Sequence, residues 1–263
     1  MNPFLLAVLT SLAVNALFFA LAAARKTDVV TDLSYGLSFA LTALVLVFLE
    51  GAFEPLRLAA ALMVAAWALR LAGYLFRRIL AMKVDHRFDG RREDPWKFAR
   101  FWILQALSTA VIMLPAIAVL AAPAPAPSPA HAAGGAVWLA GLAVEAFADA
   151  QKSAWKRRGE KGFIDRGLWS WSRHPNYFGE ILVWWGLWIY ALPSIEGWWR
   201  LAILGPAYIT LLLVFVTGLP PLEKSADEKY GADPSYADYK RRTSILVPRP
   251  PRRDEGRAEG ERS

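Results

Sequence analysis

The stretch PFLLAVLTSLAVNALFFALAAA, residues 3–24, contains no charged side chain. A helix that crosses the hydrocarbon core of a bilayer needs about 20 mostly apolar residues. The apolar part of a secretory signal peptide is shorter, about 7–15 residues, and follows a positive charge, which this stretch lacks. We therefore expect residues 3–24 to form a membrane-spanning helix.

Further apolar segments of similar size follow along the chain. The 263 residues are 56% hydrophobic, and the mean hydropathy is +0.28. This composition excludes a disordered chain and is unusual for a soluble domain. We predict an all-α polytopic membrane protein, a seven-transmembrane-helix bundle with spans at 3–24, 33–50, 56–76, 101–121, 135–150, 176–193 and 198–219.

Basic residues lie mostly on one side of this predicted bundle. The chain has 30 Lys and Arg against 23 Asp and Glu, a net charge of +7. Most of the Lys and Arg fall in the connections 25–26, 77–100 and 152–173 and from residue 224 onward. Because short cytoplasmic loops hold the excess of basic residues, we expect an integral, multi-pass membrane protein. Its N-terminus would be outside and its C-terminus cytoplasmic, and the charge needs no nucleic-acid partner.

Two segments predict little regular structure. Residues 121–135, AAPAPAPSPAHAAGG, are uncharged and rich in Pro and Ala, and we interpret them as an external loop. Residues 248–263 are charged and rich in Pro, which is typical of a disordered cytoplasmic tail. The remainder, residues 1–247, is expected to form a single membrane domain in contact with lipids.

The residue types present restrict the possible chemistry. The chain has no Cys, which excludes disulfides, a thiolate nucleophile, cysteine-ligated zinc and iron–sulfur clusters. It has only three His, so we expect no metal site. Neither a G-x-G-x-x-G nor a G-x-x-x-x-G-K-[ST] motif occurs, so any nucleotide would be held between membrane helices.

Polar side chains recur at helical spacing near the predicted cytoplasmic ends of the helices. Such groups are costly inside a membrane and usually face a cavity or one another. The set is Asp28, Asp32, Arg70, Tyr74, Arg77, Arg78, Gln105, Glu145, Asp149, Lys152, Lys156, Asn176, Glu180 and Trp184. We infer a cofactor cavity that faces the cytoplasm. Alternatively, these residues are interfacial anchors at helix ends. Asn15, in the middle of the first helix, predicts a helix–helix hydrogen bond.

The combination of residue types in this cavity suits a nucleotide. Arg and Lys bind phosphates, carboxylates bind ribose hydroxyls, and aromatic side chains pack against rings. The stretch GLWSWSRHPNYFGE, residues 167–180, leads into the Trp-rich sixth helix, and Pro175 suits the first turn of that helix. Without further knowledge, it is a polar helix start that points into the cavity or a capped helix start with an interfacial His.

Three features together resemble the steroid 5α-reductase superfamily, and in particular its uncharacterised bacterial branch. They are RHPNYFGE at 173–180, the E-x-x-x-D of Glu145 and Asp149, and the closing stretch from Tyr236 to Pro248. The resemblance covers roughly residues 28–248. It implies a seven-helix membrane bundle in which NADPH, bound from the cytoplasm, reduces the carbon–carbon double bond of an α,β-unsaturated ketone such as a 3-oxo-Δ4 steroid. The apolar substrate would enter from the bilayer, and the resemblance to the bacterial branch implies a bacterial inner membrane.

The resemblance also implies roles for individual residues. Tyr74 would be catalytic with the support of Asp32, the nearest carboxylate to a Gln-Glu pair that this chain lacks. Glu145 stands where the steroid reductases have Asn. The expected cofactor-binding residues are Arg77, Glu145, Asp149, Lys156, Arg173, His174, Asn176, Tyr177, Glu180, Trp184, Tyr236 and Tyr239.

Two alternatives remain open from the sequence. The RHPNY motif is shared with the isoprenylcysteine carboxyl methyltransferases, which bind S-adenosylmethionine, so the chain could be a membrane methyltransferase of that type. Asp149 and the pair Tyr74 and Arg77 favour the reductase, and Glu223 is single where those methyltransferases have paired glutamates. The other alternative is a non-catalytic membrane protein whose Trp residues form only interfacial belts.

Overall fold

The computed structural model describes residues 1–82 and 94–251. The predicted basic connection at 83–93 and most of the predicted tail, 252–263, lie outside the described residues. Within the described residues all extended regular elements are helices, and the prediction of an all-α protein is confirmed.

The α-helices of the described chain have the following bounds: α1 Pro3–Arg25, α2 Thr31–Leu49, α3 Pro55–Met82, α4 Pro95–Ile112, α5 Leu114–Ala121, α6 Pro129–Arg157, α7 Pro175–Ala191, α8 Leu204–Leu211, α9 Leu219–Tyr230 and α10 Pro234–Arg242. Turns of 3₁₀-helix occupy Gly167–Ser170, Leu192–Ser194 and Gly197–Ile203, and Leu212–Val216 is π-helical.

Five helical segments among the described residues are long and apolar enough to cross a membrane, and a bent helix pair would make six. The segments are Pro3–Arg25, Thr31–Leu49, Pro55–Leu80, Pro129–Arg157 and Gly197–Tyr230. Helix α7 is not among them because it has only 17 residues, or about 25 Å. The chain is thus a multi-pass membrane protein, and the number of seven spans stays a prediction.

The predicted span at 101–121 consists of two helices, α4 and α5, which together are long and apolar enough for one bent span. Helix α4 begins earlier, at Pro95, where the Asp94 carboxylate accepts hydrogen bonds from the N–H groups of Trp96 and Lys97. Helices α4 and α5 then meet at a bend of 54°. The cause is Pro115, which has no N–H to donate to the carbonyl of Val111 and whose ring would clash with that carbonyl in a continuous helix.

The predicted loop at 121–135 is shorter in the structure, because α6 begins at Pro129. Ser128 is a favourable residue before a helix, and Pro suits the first helical position. The Ser128 hydroxyl accepts from the N–H of Ala130, and His131 Nδ1 accepts from the N–H of Ser128. The prediction of a loop rested on the Pro/Ala-rich composition and did not use Ser128 and Pro129 as a helix start.

The chain divides into two compact units, each assembled from two stretches. The first unit comprises residues 1–136 and 184–208, and the second comprises residues 137–183 and the chain from 209 onward. Neither unit is one continuous stretch, so the single membrane domain expected over 1–247 stays a prediction.

A buried hydrogen-bond network joins three helices of the first unit. Asn15 on α1 donates to the Ser38 hydroxyl on α2, over 2.9 Å. Gln105 on α4 donates to the Asn15 side-chain oxygen over 2.8 Å and to the Ser34 hydroxyl over 3.0 Å. The predicted helix–helix role of Asn15 is confirmed. Gln105, expected at the cavity, uses its amide N–H groups in this network.

Candidate functional site

The segment 167–174, which precedes α7 in the second unit, is anchored on α6. Gly167 has a positive φ of 62° and lies against the Gln151 side chain. Gln151 accepts a hydrogen bond from the N–H of Leu168, and the Trp169 indole donates to the carbonyl of Ala148 over 3.0 Å. A side chain on residue 167 would meet Gln151, so the glycine serves both the turn and the close approach.

The C-terminal segment at 244–246 contacts the same segment, at residues 172 and 173. Ser172 and Ser244 form an isolated parallel bridge, and the N–H of Arg173 donates to the carbonyl of Ser244 over 2.8 Å. The Ser172 hydroxyl donates to the carbonyl of Leu246 over 2.7 Å. These contacts fix the backbone of residues 172 and 173 just before α7 begins.

Arg173 and His174 both contact one carboxylate, that of Glu223 on α9. Arg173 Nη1 and His174 Nε2 each lie 2.6 Å from a different oxygen of Glu223. His174 also stacks on Tyr177, with ring planes 14° apart. Burial lowers the pKa of His174 below its ordinary value, although the hydrogen bond to Glu223 opposes this shift. The direction of this shift favours the uncharged imidazole at neutral pH.

Close packing of α6 against α7 places buried carboxylates beside the motif. A Cβ on Gly141 would lie 2.7 Å from the carbonyl oxygen of Gly179, and one on Gly179 would lie 2.6 Å from the backbone nitrogen of Glu145. Glu145 is 2% exposed, Asp149 4% and Glu180 8%. The second unit thus contains these three predicted residues and also Arg173, His174, Asn176 and Tyr177, and it places Glu145 against Gly179 of α7.

Three other predicted residues of the second unit have different surroundings. Lys156 is exposed in the last turn of α6. Tyr236 and Tyr239 of α10 are buried, and burial raises the pKa of both, that of Tyr236 to about 12. The Tyr239 hydroxyl donates to the carbonyl of Trp169 over 2.7 Å. Tyr239 thus supports the segment that precedes the motif, and its predicted contact with a cofactor stays a prediction.

The first unit contains the residues expected to be catalytic. Tyr74 is half-buried on α3, one turn before Arg78, whose Nη2 donates to Asp32 Oδ2 over 3.1 Å. Arg77 is exposed and donates to the carbonyl of Gly73 in its own helix. Asp32 thus accepts a hydrogen bond from Arg78, and its expected support of Tyr74 stays a prediction. The i, i+4 spacing of Tyr74 and Arg78 was the available signal for this arginine.

Trp184, expected to line the cofactor, lies in an aromatic cluster of the first unit. Its ring centroid is 4.9 Å from that of Trp67 and 5.4 Å from that of Phe39. The residue is 1% exposed, and its indole N–H has no acceptor among the described residues. Trp67 and Trp184 pack edge to face, with ring planes 80° apart, and such contacts stabilise the helices that carry them.

The second unit offers a chemically suitable set of groups for a nucleotide. Arg173 Nε is a buried donor that has no acceptor among residues 1–82 and 94–251. A phosphate or carboxylate oxygen would satisfy such a donor. The buried carboxylates on α6 and α7 can accept from ribose hydroxyls. Within the described residues there is no group of three or more His, Asp or Glu side chains that could hold a metal ion.

Two residues that sequence analysis did not place in the site are central to its geometry. The sequence marks Glu223 only as a signature residue, because its partner His174 lies 49 positions earlier in the chain. The sequence patterns used above do not single out Gly141. Small residues in membrane helices mark close helix contacts, and this was the signal that could have identified it.

Comparison with known proteins gives one family and one curated relative. The family described as "Protein of unknown function (DUF1295)" matches residues 18–243. The chain is 35% identical over 92 residues to a protein of Schizosaccharomyces pombe described as uncharacterized. The match covers 34% of this chain and only 24% of the yeast protein's length. No solved structure matches.

Proposed function

This chain belongs to the DUF1295 family, and from that premise we propose that it is a membrane-embedded, NADPH-dependent reductase of apolar α,β-unsaturated ketones. The observation that carries the proposal is the buried polar site of the second unit, with Arg173 Nε in need of an acceptor and carboxylates on α6 and α7. The resemblance to the steroid 5α-reductase superfamily supports the same activity. The seven spans, the cytoplasm-facing cavity and the orientation of the termini are parts of this proposal.

The second unit would hold the cofactor through three kinds of group. Arg173 would bind a phosphate, since its buried guanidinium N–H is a charge-assisted donor. Glu145, Asp149 and Glu180 would accept from ribose hydroxyls, and Asn176 can both donate and accept. When bound, NADPH supplies a hydride for the β-carbon of the enone.

In the first unit, Tyr74 would act on the substrate's carbonyl group. Its hydroxyl would donate a hydrogen bond to the carbonyl oxygen, where negative charge develops as the hydride adds to the β-carbon. The α-carbon then takes a proton from Tyr74 or from water, and the saturated ketone leaves. Arg78, one turn after Tyr74 on α3 and ion-paired with Asp32, would supply a cation on the same helix face.

Turnover with enones tests this proposal. Purified protein in detergent is incubated with NADPH and a panel of apolar enones, and the loss of the reduced nicotinamide absorbance is followed. We expect oxidation of NADPH that depends on the enone. Loss of the Tyr74 hydroxyl in Tyr74→Phe should slow turnover about a hundredfold or more and leave NADPH affinity nearly intact.

Tyr208→Phe is the matched control for this experiment. It removes a hydroxyl from the same unit, one that lies 2.8 Å from the Ser108 hydroxyl, and it should retain turnover. Unchanged turnover in Tyr74→Phe would remove Tyr74 from the chemistry. No enone-dependent oxidation of NADPH across the panel would contradict the reductase proposal.

A second candidate is an S-adenosylmethionine-dependent membrane methyltransferase. The observation in its favour is that Glu223, which stands where the isoprenylcysteine carboxyl methyltransferases have paired glutamates, contacts both Arg173 and His174. Arg173 would then bind the carboxylate of the methionine part. Transfer of a radioactive methyl group to a lipid-soluble acceptor, with no NADPH oxidation, would select this candidate.

A further inference from the structure

We propose that Glu223 is a positioning residue that assigns different ligand groups to Arg173 and His174. Arg173 would bind an anionic oxygen, whereas His174 would accept, at Nδ1, a hydrogen bond from a hydroxyl or amide group of the nucleotide. This inference rests on the proposed nucleotide site of the second unit.

The three side chains form a compact, largely buried group. The side chains of Arg173, His174 and Glu223 are 12%, 9% and 18% exposed. The two Glu223 oxygens are used separately, since Oε2 lies 2.6 Å from Arg173 Nη1 and Oε1 lies 2.6 Å from His174 Nε2. A carboxylate that divides its oxygens in this way restricts the orientation of both partners.

The contact with Glu223 determines the tautomer of His174. A carboxylate oxygen only accepts hydrogen bonds, so the imidazole proton lies on Nε2. In the neutral ring, Nδ1 is then an acceptor. The backbone N–H of His174 donates to the Ser172 hydroxyl, and the ring stacks on Tyr177, so the residue is held at both its backbone and its ring.

The charges around His174 favour this neutral form. Burial is the main cause that lowers its pKa, and the nearby cations Lys152 on α6 and Arg173 act in the same direction. Glu223 acts in the opposite direction. A neutral acceptor suits a ribose hydroxyl or a carboxamide N–H and does not suit a phosphate, which lacks a proton to donate at neutral pH. Arg173, with Nε buried and unsatisfied among the described residues, suits the phosphate.

Nuclear magnetic resonance of the imidazole nitrogens tests this arrangement without any ligand. The chain has only three His, so the signals of ¹⁵N-histidine-labelled protein can be assigned with His174→Gln. We expect His174 to be neutral at neutral pH with its proton on Nε2. In Glu223→Gln its titration midpoint should fall, because the carboxylate that favours the imidazolium is gone. A proton on Nδ1, or an unchanged midpoint, would overturn the proposal.

NADPH binding tests the consequence for the ligand. Glu223→Ala should weaken NADPH binding by about tenfold or more, since two buried donors lose their partner. Glu228→Ala removes one carboxylate from the same helix, at a side chain that is 67% exposed, and should bind NADPH like the wild type. Glu223→Gln retains the size of the side chain. It therefore shows whether weaker binding in Glu223→Ala comes from loss of the carboxylate or from a folding defect. Unchanged or tighter binding in folded Glu223→Ala would contradict a positioning role.

The two experiments separate the failure of this inference from that of the proposed function. If the wild type does not bind NADPH, the proposed reductase is wrong, and the imidazole spectra still decide whether Glu223 sets the tautomer of His174. If the wild type binds NADPH and the spectra show a proton on Nδ1, the reductase stands and the role of Glu223 fails.

Discussion

His174 illustrates how a buried environment sets the chemistry of a single residue. Its ordinary pKa is 6.5, and burial lowers the value in the folded protein in spite of the adjacent Glu223. In the unfolded chain the imidazole is exposed and takes up a proton at higher pH. Protonation therefore favours the unfolded state over the interval between the two values.

The pH dependence of stability tests this environment. As the pH falls from about 6.5 toward the folded pKa of His174, the unfolded chain binds a proton that the folded chain does not. We expect the melting temperature of the detergent-purified protein to fall over this interval. In His174→Gln this part of the dependence of the melting temperature on pH should disappear. An unchanged dependence would mean that other groups cause it.

The sequence alone predicted residues whose role follows from their own helix. Asn15 is an example, because an amide in the middle of an apolar helix has to find a partner on another helix. Partners distant in the chain could not be predicted: Glu223 for His174, and Arg78 for Asp32. Those pairs depend on how helices pack, which single-sequence patterns do not specify.

At the level of elements, the packing of α6 on α7 depends on glycine. Gly141 lies against the backbone of Gly179 and Val183, with room for hydrogen but not for a methyl group. In membranes, packing of this kind replaces the hydrophobic effect as the force between helices. The close contact also places Glu145 next to the start of α7.

Substitution of Gly141 tests the importance of this contact. In Gly141→Ala the new Cβ would lie 2.7 Å from the carbonyl oxygen of Gly179, so the helices must separate. We expect a loss of about 1–3 kcal/mol in stability and weaker nucleotide binding. Gly135→Ala makes the same change on the same helix, where no atom lies within 4 Å, and should retain both. Equal melting temperatures of the two variants would contradict the close-packing account.

The positions of the helices followed from apolar length, but their ends and bends did not. Pro115 lies within an apolar run, and hydropathy does not register the kink that proline causes. Ser128 and Pro129 lie within a Pro/Ala-rich segment, where composition obscured a helix start. The bend and the helix start thus depend on one or two residues, and hydropathy averaged over a longer window does not detect them.

At the scale of the whole molecule, the asymmetry of Lys and Arg predicts the orientation in the membrane. The chain has no Cys, so single cysteines report accessibility without background. We expect Ala124→Cys, exposed between α5 and α6, to react with a membrane-impermeant maleimide on intact cells. Ala237→Cys, exposed on α10, should react only after permeabilisation. The reverse pattern would invert the topology and place the second unit's polar site outside.

The central claim is that this membrane protein binds NADPH at the polar start of α7. The most direct measurement is a thermal-shift titration of the purified protein with NADPH, NADH and S-adenosylmethionine, because a ligand that binds only the folded state stabilises it by about 2.7 kcal/mol at a hundred times its Kd. We predict a rise in melting temperature with NADPH and none with S-adenosylmethionine. The rise should be smaller in Asn176→Ala and Glu180→Ala. A rise in melting temperature with S-adenosylmethionine alone would contradict the account, and so would the absence of a rise with all three ligands.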